Sequence, residues 1–250
     1  MKIIQPKTEF WNEPKDWMEQ VARAARICYG KDDGKREAAD MCNFLMSKGH
    51  KSMFRHGSAY FFVETIGGDR MVNWLYSILV ASPFVYILYQ KKRIDKVVHH
   101  RYFISTNRHY LMDNKLVAGQ LAEHELSQLS FIGKVVECNF PKAYQLIRYT
   151  VCTTTQISTS RELNRTSPNN IAEQSTRFVN FGKRGGITIC QPHWYEGANW
   201  WRRTLARVGW TVCEWVYNAM LRAGMKAEDA RGSLPLDTAT RVVYTYNVYE

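Results

Sequence analysis

Paired cysteines are missing from this chain. Its six, Cys28, Cys42, Cys138, Cys152, Cys190 and Cys213, are widely spaced with no C-x-x-C, whereas a disulfide scaffold or a zinc site would cluster them. They are read as reduced thiols, most of them small buried hydrophobes. A histidine pair at metal-ligand spacing is also missing, since His50 and His56 stand six apart, and no metal is expected. Met1-Lys2-Ile3-Ile4-Gln5-Pro6 has no apolar leader core and no cleavage pattern, so the expected location is the cytoplasm. No internal repeat, low-complexity tract or linker interrupts the sequence. Acidic residues are in short supply: 23 Asp and Glu face 34 Lys and Arg, a formal net charge of +11. Such an excess suits nucleic acid, an anionic membrane surface or small anionic ligands. The densest basic cluster is only Lys91-Lys92-Arg93, and scattered charge favours small anions over a nucleic-acid track.

At 250 residues, 45% hydrophobic and 23% charged, the chain can bury a substantial core and suits a single domain over 1–250 with elaborations. Met71 to Gln90 is a run of twenty uncharged residues between Arg70 and Lys91, long enough to cross a bilayer. Asn73, Ser77, Ser82 and Pro83 interrupt it, however. Val72, Leu75, Tyr76 and Leu79 recur at helical spacing, and Phe84 to Tyr89 then reads as a strand. A helix ending near Ser82-Pro83 and a buried strand explain the run without a membrane. His100 to Ser105 returns as a second strand, with the hairpin connection across Lys91–Val98. This gives a helix-plus-hairpin elaboration around 69–106.

Elsewhere, Trp17 to Tyr29 and Arg36 to Lys48 read as helices, the second stopped by Gly49. Ser58 to Val63, Arg148 to Thr154 and Ile187 to Gln191 have strand character. Asn199 to Ala223 reads as a long amphipathic helix closed by Gly224, with Trp201, Leu205, Val208, Val212, Trp215 and Val216 on a broad apolar face. The outcome is an α+β class with helices flanking a mixed or antiparallel sheet.

One segment is too polar for core. Arg161 to Phe178 holds two carboxylates, three arginines and four hydroxyls in eighteen residues. Arginine presents a planar fork of donors that suits phosphate and carboxylate. Ser175 and Thr176, with neighbouring backbone N–H groups, are the components of an oxyanion cradle. Glu162 and Glu173 supply acceptors for ring N–H groups or sugar hydroxyls. These residue types suit a phosphorylated, hydrogen-bonding small molecule such as a nucleotide; composition alone equally allows a solvated loop.

The segment resembles the signature of the flavin-dependent thymidylate synthases (the ThyX family): R-H-R, seven residues, S, then R and an aromatic. Arg165 opens it and Ser175 falls at the required spacing. Glu173 precedes that serine by two, Arg177 follows by two, and Phe178 stands where tyrosine is usual. Glu162 occupies a Gln/Glu position just upstream. Thr166 and Ser167 depart from the pattern, replacing His and Arg. Further elements follow in the family's order. Ala25-Arg26-Ile27-Cys28-Tyr29 resembles an R-x-C/S-Y/F element. Gly49-His50-Lys51-Ser52-Met53-Phe54-Arg55-His56 resembles G-H-x-S/T-x-x-E-H, with Arg55 in place of the acid. Ala230-Arg231-Gly232-Ser233-Leu234-Pro235 resembles A-R-x-x-L-P, and Thr245-Tyr246-Asn247 resembles T-x-N.

The resemblance implies a homotetramer that methylates dUMP to dTMP with 5,10-methylenetetrahydrofolate, FAD and NADPH. Reduced flavin relays the methylene carbon or hydride, so no cysteine nucleophile is needed, and the protein positions its ligands. It implies that Arg177, Arg231 and the Ser175 cradle hold the dUMP phosphate, with Thr176, Gln174 and Arg165 also on the substrate, and that Glu162 and Glu173 orient sugar and base. It places Ser52, His56, Arg165, Thr166, Ser167, Glu173 and Asn247 on flavin, several from a neighbouring subunit. The family's ring-activating arginine would fall beyond Glu250, so no catalytic residue is named, and the expectation is either a fragment or a divergent homologue. Thr166 and Ser167 remove an imidazole and a guanidinium that would face FAD; each lost charged hydrogen bond costs about 1.5–3 kcal/mol. Weak flavin binding is therefore expected. The alternatives are a silent homologue that binds nucleotide without tight FAD and a basic nucleic-acid-binding protein, which lacks a positive motif.

Overall fold

The computed structural model describes the chain except residues 13, 15, 31–33, 68–69, 166–169, 178 and 250 and the side chains of 70, 71, 78 and 184. Its residues divide into two compact units.

One unit comprises Asn12–Ala22, Arg36–Thr150 and Tyr244–Glu250. Its sheet has four strands in the order Tyr86–Ile94, Val97–Asn107, Ser58–Ile66, Glu125–Leu126, each pair antiparallel. Alternation along Ser58–Ile66 divides the side chains between two cores. Ala59, Phe61 and Val63 join Tyr102 and Ile104 beneath Val72, Leu75 and Leu79 of the helix Arg70–Val80. Tyr60 joins Phe103, Phe131 and Val135 on the other face, the last two from the helix Gln128–Glu137. Ser127 caps that helix by accepting from Ser130 N, and Asn107 caps the short helix Arg108–Asp113 by accepting from Tyr110 N.

The uncharged run therefore resolves into a helix that stops before Ser82-Pro83 and a strand. Among the described residues, no helix is long and apolar enough to cross a membrane. The hairpin connection is much tighter than the Lys91–Val98 expected from sequence. Ile94 pairs with Val97, and Asp95 and Lys96, at φ 47 and 66, form the two-residue turn with both central residues left-handed. Lys91, Lys92 and Arg93 belong to a strand because Tyr86–Ile94 lies at the sheet's edge, where charged side chains stay in water and discourage further strand pairing.

The other unit comprises Met1–Trp11, Arg23–Lys35 and Val151–Val243. The helix Trp17–Tyr29 and the strands Tyr149–Gln156 and Ala239–Tyr246 supply residues to both units. Its sheet runs in the order Lys7–Trp11, Tyr149–Gln156, Ala239–Tyr246, Ile171–Glu173, and Lys2–Ile4 pairs parallel with Thr188–Cys190. Its core gathers Val179, Phe181, Ile187, Ile189, Tyr195, Trp210, Tyr217 and Ala230.

The helix Trp200–Arg222 is capped by Asn199, which accepts from Arg202 N, and is followed by Gly224 at φ +88. Its orientation corrects the sequence expectation. The side chains turned to the core are Trp210 and Tyr217. Trp210 Nε1 donates to Asp237 Oδ2 at 3.0 Å, and Tyr217 Oη accepts from Phe181 N at 3.4 Å. Trp201, Leu205, Val208, Val212 and Trp215 stay more than half exposed. All six cysteines are free; Cys28 and Cys213 are half-buried and the others buried.

Candidate functional site

The polar signature is more structured than its composition suggests. The strand Tyr149–Gln156 passes directly into the helix Ile157–Leu163, which buries Ile157 and Ser160. Ile171–Glu173 then forms a short strand beside Ala239–Tyr246. Ser160 and Asn164, one helical turn apart, both reach Glu173. Ser160 Oγ lies 2.6 Å from Oε1, Thr240 Oγ1 donates to the same oxygen at 3.1 Å, and Asn164 Nδ2 donates to Oε2 at 3.0 Å. Three neutral donors thus hold a half-buried carboxylate in one orientation. Ser160, Asn164 and Thr240 were not singled out from sequence; the i, i+4 spacing of the first two was the available signal.

Beyond Glu173 the backbone is pinned at two successive residues. Gln174 N donates to Arg241 O at 2.8 Å and Ser175 N to Cys28 O at 2.9 Å. Ser175 Oγ accepts from Arg177 N at 3.2 Å, closing a local turn. Arg231 Nη1 reaches Thr176 Oγ1 at 3.5 Å from fifty-five residues away, while Arg177 Nη2 lies 3.5 Å from Glu228 Oε2. Both guanidiniums are exposed. Ser175, Thr176, Arg177 and Arg231 are therefore brought together, with Glu173 two residues before the turn. Glu162 and Arg165 form only a surface pair at 3.0 Å, with 66% and 75% of their side chains exposed. Thr166, Ser167 and Phe178 lie outside the described residues.

Cys28 sits against this segment through its carbonyl. Burial, and then the Glu173 carboxylate, push its thiol up from the ordinary range, so it stays protonated and poorly nucleophilic at neutral pH.

Ser52, His56 and Asn247 belong to the other unit. His56 ends the 3₁₀ turn Lys51–His56, on which Ser52 is exposed. Gly57 then leads into the central strand. A Cβ there would stand 2.8 Å from Arg108 Cγ and 3.1 Å from Val21 Cγ2, so the close approach requires glycine.

His56 is fully buried, its Nδ1 2.9 Å from Thr245 Oγ1, which is itself 2.9 Å from Thr150 Oγ1. Arg148 Nη2 donates to the carbonyls of Arg55 and Thr245 at 3.1 and 3.0 Å. Burial first, then the charges of Arg148 and Arg55, push the imidazole down to about 3, which keeps it neutral. Its buried Nε2 meets no hydrogen-bond partner among the described residues. Asn247 is buried and accepts from Tyr249 N at 2.8 Å. Arg55, where the signature element has an acid, donates from Nε to His109 Nδ1 at 3.3 Å and lies over the Phe84 ring. Among the described residues, no group of His, Cys, Asp and Glu could hold a metal ion.

Residues 88–250 match the family described as thymidylate synthase complementing protein. That span contains the signature, the Ala230–Pro235 element and Thr245–Asn247. No curated protein matches the sequence. Among solved structures, the chain is similar to a UMP/dUMP methylase PolB from Streptomyces cacaoi bound with 5-Br dUMP and to the same methylase bound with 5-Br UMP. Each is 14% identical with a TM-score of 0.38, and the similarity covers 99% of this chain and 75% and 74% of theirs.

Proposed function

Because this chain belongs to the thymidylate synthase complementing protein family, we propose that it methylates dUMP to dTMP. In this reading 5,10-methylenetetrahydrofolate donates the carbon and NADPH supplies reducing equivalents through FAD. Residues 1–250 act as one catalytic domain, elaborated around 69–106, within a homotetramer. The observation that carries the reading is the arrival of Arg231 at Thr176, beside Arg177 and the pinned Ser175 turn. Two exposed guanidiniums from distant segments meet a hydroxyl-rich turn, as a phosphate monoester requires.

Arg177 and Arg231 would bind the nucleotide phosphate, with the Ser175 and Thr176 hydroxyls completing its shell. Glu173, oriented by Ser160, Asn164 and Thr240, would accept from a ring N–H or a sugar hydroxyl. Gln174 and Glu162 would line the same nucleotide. The FAD, when bound, supplies the hydride that turns the transferred carbon into a methyl group. The exposed Arg165 guanidinium and Ser52 hydroxyl suit an anionic, hydrogen-bonding cofactor, and they would hold it with Thr166, Ser167 and Asn247. His56 would act from behind, fixing Thr245 and so the strand end that carries Asn247. Protonated Cys28 has no covalent role in this scheme.

The test is product formation from purified protein, with FAD, NADPH, methylenetetrahydrofolate and dUMP each omitted in turn. We expect dTMP only in the complete mixture. A protein that binds dUMP yet makes no dTMP with saturating FAD would instead be a silent nucleotide-binding homologue, the reading that Thr166 and Ser167 favour.

A further inference from the structure

The helix Trp200–Arg222 has two apolar faces, and its own unit uses one. Arg203, Trp210 and Tyr217, each seven residues apart, face the unit: Arg203 donates to Tyr195 O, and the two aromatics are buried in the core. On the opposite side run Trp201, Leu205, Val208, Val212, Trp215 and Ala219, spaced 4, 3, 4, 3, 4. The first five are 54%, 54%, 56%, 53% and 66% exposed. An ordinary amphipathic helix turns its only apolar stripe inward and gives water a polar back. A 3.5-residue repeat sustained along an outward face is the seam of a helix pair.

We propose that this face packs antiparallel against the same face of a second copy of the chain. The size is right. With each large aromatic able to bury 150–250 Å² when covered, the stripe offers on the order of 600–800 Å² per copy, near the roughly 800 Å² per partner of a stable interface.

The order of side chains selects the direction. Antiparallel pairing sets Trp201 over Ala219 of the second copy, Leu205 against Trp215, and Val208 against Val212, so that large meets small at both ends. Parallel pairing would force Trp201 on Trp201 and Trp215 on Trp215 while leaving Ala219 facing Ala219. Charge selects the same direction. Arg202, Arg203 and Arg207 all lie in the first half of the helix, whose first turn holds no acid. In parallel copies the exposed Arg202 side chains would meet. In antiparallel copies each approaches the negative end of the other helix.

The test is the mass of the full-length protein in solution by light scattering. We expect an even number of 29.2 kDa chains, and half that number for the double variant Val208→Lys/Val212→Lys. Both sites are exposed within one copy, so the variant should keep its circular dichroism. Val208→Leu/Val212→Leu should keep the wild-type mass, as should Leu129→Lys, which removes an 80% exposed side chain from another helix. In a Cys213→Ser background, Val208→Cys and Val212→Cys proteins should cross-link when mixed and not separately.

A monomeric wild type overturns the proposal, as does a monomer that sediments with anionic phospholipid vesicles through these residues. An assembly unchanged by the double lysine variant overturns it while leaving a family-type tetramer intact. Cross-linking of each cysteine variant with itself overturns the antiparallel order.

Discussion

Ser160 Oγ lies 2.6 Å from Glu173 Oε1 and 2.9 Å from the Ile157 carbonyl, with one proton for the two acceptors. The shorter, charged contact takes it. The hydroxyl therefore belongs functionally to the carboxylate, although its position is set by the helix.

Replacing Ser160 with Ala should loosen Glu173 without unfolding the sheet. A hydrogen bond to a charged group contributes about 1.5–3 kcal/mol, so dUMP affinity should fall roughly 10- to 100-fold if Glu173 binds the nucleotide. Calorimetry with dUMP checks this; unchanged affinity would remove Glu173 from the site.

Arg177→Ala and Arg231→Ala should each weaken dUMP by roughly 10- to 100-fold, the loss of a charge-assisted bond to phosphate. Deoxyuridine, which lacks the phosphate, should be barely affected. Equal losses for both ligands would sink the phosphate assignment.

Cys28→Ser should leave methyl transfer within about twofold, because a thiol held protonated contributes no nucleophile. At pH 8, iodoacetamide should also modify Cys28 more slowly than an unfolded control, as read by peptide mass spectrometry. Loss of activity in a well-folded variant would point to covalent chemistry.

The neutral His56 gives a pH dependence with a definite sign. Its folded pKa of about 3 lies below the unfolded value, so below pH ~6.5 the unfolded chain binds a proton that the folded one excludes. Stability present at neutral pH is therefore lost as pH falls, by about 1.4 kcal/mol per unit once below pH ~6. His109, also lowered mainly by burial, adds in the same direction. Urea midpoints between pH 7 and 5 should fall, and His56→Asn should flatten the slope. Parallel slopes for the two proteins would show that His56 is already charged when folded.

Thr166→His with Ser167→Arg should raise flavin occupancy about tenfold or more, each restored side chain adding a hydrogen bond from a charged or chargeable group. Visible absorbance of the purified proteins reads this directly. A wild type that purifies saturated with FAD would show that the signature works without those two side chains.

Where a segment's periodicity had one solution, sequence and structure agree. Val21, Ala22, Ala24 and Ala25 are all fully buried along Trp17–Tyr29, and the uncharged run breaks at Ser82-Pro83 as its spacing demands. Two failures have physical causes. Periodicity reports that a helix face is apolar but not which of two such faces the core will take, so Trp210 and Tyr217 displaced the Trp201–Trp215 stripe. The strand Ile171–Glu173 has three residues, too few for alternation to register within a polar segment. Of the site, residue types and spacing were legible at Glu173, Ser175, Arg177 and Arg231. Their supports were not, because Ser160, Thr240 and Thr150 act through folded proximity and look like ordinary polar residues in a sequence.

The strand Ser58–Ile66 begins two residues after His56 and is paired along its whole length, from Ser58 opposite Asn107 to Ile66 opposite His99, with side chains buried on both faces. Such a strand opens last in a protein's spectrum of local fluctuations. The imidazole is thus tethered to the slowest-exchanging part of its unit, and solvent reaches it only when that sheet comes apart. For a ligand arriving at Ser52, the turn Lys51–His56 is a fixed wall: its hydroxyl is available at once, while the ring behind it keeps its place on the timescale of any turnover.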